Sequence, residues 1–126
     1  MVDYQRGDSV SVVAYNTMSQ RNAFTDMDMR IRVRTTEVVK AGPKQITISG
    51  GLQDSNIPRD KIGQAVPGIM YDTFNILVPK GENVEKYISL ASDHIRHSLE
   101  LTKQSLLKSL ERVNRHLDTE GNWLNE

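Results

Sequence analysis

Polar and apolar residues alternate along Met29-Arg30-Ile31-Arg32-Val33-Arg34-Thr35. A period of two puts Arg30, Arg32 and Arg34 on one side of a strand and Ile31 and Val33 on the other. The same period recurs in Gln45-Ile46-Thr47-Ile48-Ser49, and again in Tyr71-Asp72-Thr73-Phe74-Asn75-Ile76. If these strands share a sheet, one face is apolar. The other then carries three guanidiniums, Gln45, Thr47, Ser49, Thr73, Asn75 and the ring of Tyr71, a surface suited to single-stranded nucleic acid.

Ser9 to Tyr15 predicts a first strand. With the weaker run Arg21 to Thr25, across the polar break Asn16 to Gln20, it reads as an amino-terminal hairpin. Met29 to about Val39 and Lys44 to Ser49 form a second hairpin through the breaker Lys40-Ala41-Gly42-Pro43. From Gly50 to Gly68, glycine and proline interrupt every alternating run, leaving either an edge strand around Lys61 to Val66 or a functional loop. Ile69 to Val78 predicts a strand that Pro79 stops.

Beyond Gly81 the period changes to three and four: Val84, Tyr87, Ile88, Ala91, Ile95 and Leu99, then Leu106, Leu110, Val113 and Leu117. This predicts helix from about Asn83 to Leu117, either continuous or broken near Ser98 to Ser105, where Leu101 leaves the stripe. The order implies one α+β domain over 1–126, with a β region to about residue 80, a helical region over about 82–118 and a tail over 119–126.

A chain of 126 residues with 37% hydrophobic and 6% aromatic residues builds a modest aliphatic core. The helical stripe is wider than one small sheet needs, so a second subunit is expected to cover Tyr87, Ile88, Ala91, Ile95, Leu99, Leu106, Leu110 and Val113. Cysteine is absent, which excludes disulfides and thiolate metal sites. No apolar run reaches the length of a membrane span and Met1 to Arg6 does not resemble a signal peptide, so a soluble cytoplasmic protein is expected. The net charge of zero hides a division: Met29 to Lys80 carries +4 and Glu82 onward −2.

Nothing in the chain has the pattern of a catalytic nucleophile or a phosphate-binding glycine loop, so no catalytic residue and no cofactor is expected. Asp93, His94 and His97 share a helical face at a spacing that could hold a metal, but a solvated polar flank explains them, as it does His116, and no metal site is assigned. The arginine stripe also has an ordinary reading as the wet face of an antiparallel sheet.

The strand carrying Arg30, Arg32 and Arg34, the strand Gln45 to Ser49, and the run Tyr71-x-Thr73-x-Asn75-Ile76-Leu77-Val78-Pro79 leading directly into helix together resemble the coat proteins of the single-stranded RNA bacteriophages, the leviviruses. The resemblance covers most of the chain from Met29 onward. It implies an amino-terminal hairpin, a five-stranded antiparallel sheet and carboxy-terminal helices, in an intertwined homodimer whose helices cover the partner's sheet. It implies assembly into an icosahedral shell in the host cytoplasm, with genomic RNA bound on the concave sheet face by Arg30, Arg32, Arg34, Gln45, Thr47, Ser49, Tyr71, Thr73 and Asn75. The turns near Gly42-Pro43 and Pro58 to Pro67 would then join dimers. The chain departs from the family at Thr73, where well-known members carry asparagine, and at Ser49, where lysine is common. The alternatives are a small dimeric cellular RNA- or single-strand-binding protein, and a helical adaptor whose arginines are merely solvated.

Overall fold

A computed structural model describes residues 3–50, 53–119 and 123. Six strands precede one helix: β1 (Ser9–Asn16), β2 (Ile31–Ala41), β3 (Gln45–Ile48), β4 (Ser55–Pro58), β5 (Ala65–Pro67), β6 (Thr73–Leu77) and α1 (Val84–Asp118). All pair antiparallel in the order β4-β3-β2-β1-β6-β5. The two edge strands, β4 and β5, are consecutive in the chain, joined through a 3-10 turn at Arg59–Lys61. From Pro58 to Ala65 the chain could span at most about 24 Å fully extended, roughly the width of a flat six-stranded sheet. The 3-10 turn shortens that reach, so the sheet curls until it is nearly a barrel.

Curling creates two cores. Inside the curl, Val10, Val12, Val38, Ile46, Ile48, Ile57 and Leu77 pack with Tyr4. On the outer face, Val13, Tyr15, Ile76 and Val78 pack with Tyr87 and Ala91 of α1, flanked by Ile31, Phe74, Val84, Ile88 and Ile95. The central strand β1 is therefore buried on both faces, and the adjacent pair Val12-Val13 serves one core each.

The amino-terminal hairpin does not form. The first strand pairs with β2 (Val13↔Val33) and β6 (Val13↔Ile76), and residues 21–25 turn instead, held by Asn22, whose side chain donates to the Thr17 carbonyl at 2.9 Å and accepts from Ser19 N–H. The long run Ile69 to Val78 is strand only over Thr73–Leu77, because Asp72 adopts φ 62° and turns the chain before it. The illegible stretch holds β4, the 3-10 turn and the three-residue β5; each is too short for alternation to declare itself.

The helix is continuous. Asn83 caps it by accepting from Glu85 N–H at 3.0 Å, Glu82 and Glu85 sit at its positive end, and no glycine or proline interrupts it. Its proximal half is fixed to the body: Ser98 accepts from Met18 N–H, Thr102 donates to the Met18 carbonyl, and Gln20 bonds Ser105. Beyond Ser105 it has no buried residue. No helix among the described residues is long and apolar enough to cross a membrane.

Candidate nucleic-acid interface

The register that builds the inner core also places the arginines. Along β2, Arg34 lies opposite Val12 and Arg32 opposite Ala14; along β6, Leu77 lies opposite Val12 and Asn75 opposite Ala14. Directly paired residues share a face. The arginines therefore share a face with the inner core, and the division between greasy and wet runs along the strands, at about Val12, instead of between the two faces of the sheet. Toward Asn16 the inner face opens into a groove of about 1000 Å³. Its floor is Arg30, Arg32, Arg34 and Asn75, and its walls are residues 53–57 and 66–71.

Gln45, Thr47 and Ser49 do not line this groove. A register shift between Val38 and Lys40 turns Ile46 and Ile48 inward to join Val38 and Leu77. Gln45 and Thr47 alternate with them onto the opposite face, where Thr47 bonds Asn56 at 2.7 Å. Ser49 acts through its backbone: its carbonyl accepts from Arg34 Nη1 at 2.9 Å and from Thr36 at 2.6 Å, and its N–H donates to the Glu37 carbonyl at 3.1 Å.

Among the described residues neither Arg32 nor Arg34 forms an ion pair, and the contact of Arg30 with Asp28, at 3.9 Å between exposed groups, is weak. Asp26, Asp28 and Asp54 also line the groove, so three arginines are balanced by three carboxylates. The net field is small. A ligand would be held by local contacts more than by long-range attraction.

Tyr71 stands at the groove wall, 79% exposed. One face of its ring is covered by Arg21, whose guanidinium carbon lies 4.1 Å from the centroid. The loop bearing Arg21 is tied to the tyrosine turn: Ser19 Oγ donates to Asp72 Oδ2 at 2.7 Å, and Thr17 N–H donates to the Asp72 carbonyl. Thr73 spends its hydroxyl inside that turn, donating to the Met70 carbonyl at 2.6 Å, whereas Asn75 is half-buried on the groove floor. Beside Tyr71, Ile69, Met70 and Met27 are exposed at the rim. Sequence reasoning missed Arg21, which lies fifty residues from the ring it covers; only the loop-to-loop bonds reveal it.

The helical residues divide. Tyr87 and Ala91 are buried in the chain's own outer core and Ile88 and Ile95 pack against it, so these four cover the sheet of their own chain. Leu99, Leu110 and Val113 are exposed and Leu106 half-buried.

His94 is not a solvated flank. Its Nδ1 lies 2.6 Å from the Tyr15 hydroxyl, in a hydrogen bond, and its ring packs 4.7 Å from that of Phe74, which stacks on Tyr15. That engagement separates it from Asp93 and His97, and no cluster of metal-ligating side chains occurs among the described residues. Burial pushes the Tyr15 phenol up to about 12. Tyr15 and Phe74 pack on the outer face against α1, while their chain neighbours Ala14 and Asn75 face the groove. No protein-family model, curated protein or solved structure matches this chain.

Proposed function

We propose that this protein binds single-stranded RNA in the groove, with Arg32 and Arg34 on phosphates, an unpaired base on the open face of Tyr71, and the Asn75 amide hydrogen-bonding a base or ribose. The observation that carries this reading is the juxtaposition of a tyrosine backed by Arg21 on one ring face and open on the other with Arg32 and Arg34, which form no ion pair among the described residues. Base stacking needs an unpaired base, so duplex should bind less well. No catalytic step belongs to this reading.

Fluorescence anisotropy with a labelled single-stranded oligoribonucleotide tests it. Tyr71→Ala should weaken binding by about 1–3 kcal/mol, the worth of one stacked base. Arg32→Ser with Arg34→Ser should flatten the log–log salt slope by roughly 1.4, at about 0.7 per single-strand phosphate contact. Unchanged affinity in both variants would reduce the groove to a solvated surface.

The coat-protein reading is favoured by a different observation, the uncovered apolar residues on distal α1, which call for self-association. In that reading the protein is a homodimer that assembles into a shell, and the groove faces the packaged genome. Electron microscopy of the purified protein separates the two: closed particles containing RNA support the coat, and discrete small species that bind RNA support a free single-strand binder.

A further inference from the structure

Past Ser105 the helix leaves the body and carries Leu106, Leu110, Val113 and Leu117 at intervals of four, three and four residues. That is the seam of a coiled coil, a and d positions of successive heptads. Leu110, Val113 and Leu117 are half or more exposed. At the root of the seam an apolar groove of about 350 Å³ lies between the helix and Met18, lined also by Leu99, Leu106 and Leu110.

We propose that this distal segment pairs antiparallel with the same segment of a second copy. Leu106 of one copy packs on Leu117 of the other, and Leu110 on Val113, giving four apolar layers related by a two-fold axis. Three observations select this occupant and this direction. A second copy supplies the same four-three-four spacing, so the surface is self-complementary. The next seam position toward the body is Lys103; a parallel pair would set two Lys103 ammonium groups against each other in the seam, whereas the antiparallel pair carries each past the end of the apolar layers. The free lengths also match: in this register the last turn of each helix ends beside Ser105 of the other, where body contact begins, and Leu117 caps the apolar groove at Leu106. The flanking pairs, Leu107 with Asn114 and Ser109 with His116, bring no like-charged acids or bases together. So short a coiled coil would be marginal as free peptides, but the proximal half of each helix is already folded against its sheet, so the helix nucleus exists before pairing.

The pairing is independent of what the RNA groove binds, and its test separates the two. Sedimentation equilibrium should find a dimer, and Leu110→Asp with Val113→Asp should weaken association by at least about a hundredfold while the thermal transition of the body and RNA affinity per groove are retained. A wild-type monomer would overturn the proposal, as would a dimer indifferent to these changes. Direction is read by disulfide trapping, which the absence of native cysteine makes clean. Leu106→Cys mixed with Leu117→Cys should give the cross-linked heterodimer, while each variant alone should not cross-link, its two thiols lying about 16 Å apart along the axis. Efficient cross-linking of either variant with itself would establish the parallel pair and sink the antiparallel one.

Discussion

Two buried phenols brace the helix against the sheet, each with a polar partner. Tyr15 meets His94, and Tyr87 donates to Glu82 Oε1 at 2.8 Å. Burial, and for Tyr87 also the bond to that carboxylate, raises both to about 12 from an ordinary value of 10. The folded state therefore holds these protons more tightly than the unfolded chain. Their contribution to stability is level below pH 10, declines as pH rises from 10 to 12, and is lost above. Denaturant midpoints taken across that window should fall with pH, and Tyr15→Phe with Tyr87→Phe should flatten the fall; an equally steep decline in the double variant would place its origin elsewhere. The identity of these residues was legible as apolar stripe in Tyr87, but the partner of Tyr15 was not. A histidine on a helix looks solvated until a phenol from a strand 79 residues away is set against it.

At the scale of elements, local period marked α1 and the longer strands but overran at Ile69 to Asp72, where a turn intervenes, and whatever rested on pairing was not readable. Helix α1 and strands β1, β2 and β3 declare themselves by period alone. The shift at Val38/Lys40 does not, and it decides which face receives Gln45 and Thr47. The same holds for β4 and β5, which exist because neighbours hold them and not because four or three residues specify a strand. The β5–β6 turn shows how narrowly such an element is built. A Cβ at Gly68 would lie 2.5 Å from Thr73 Oγ1, the group that closes the turn, while Gly68 N–H donates to the Thr73 carbonyl at 2.8 Å. Gly68→Ala should cost about 1–3 kcal/mol of stability through overpacking and should weaken RNA binding by displacing Tyr71. Thermal melting and the same anisotropy titration measure both; a variant with native stability and affinity would show the turn to be adaptable.

Across the whole molecule, α1 divides into a proximal half that belongs to the fold and a distal half that does not, whereas every strand has a neighbour on at least one side. Strand β1, made before both of its neighbours, occupies the middle of the sheet, with Val12 opposite Arg34 on one side and Leu77 on the other. Its second neighbour is thus made last among the strands. During synthesis, which proceeds from the amino terminus, β1 leaves the ribosome with one edge unpaired and with Val13, whose outer-core partners Ile76, Tyr87 and Ala91 come later, exposed until they have emerged. Chains stalled before Thr73 should be digested readily by a protease, and chains stalled far enough on to free Leu77 and α1 should resist it. Resistance in the shorter chain would mean that the strands made before β6 suffice for a core. Until β6 arrives, the open edge of β1 can be taken by another chain, so the rate of translation through the residues before it governs how much nascent protein is lost to aggregation.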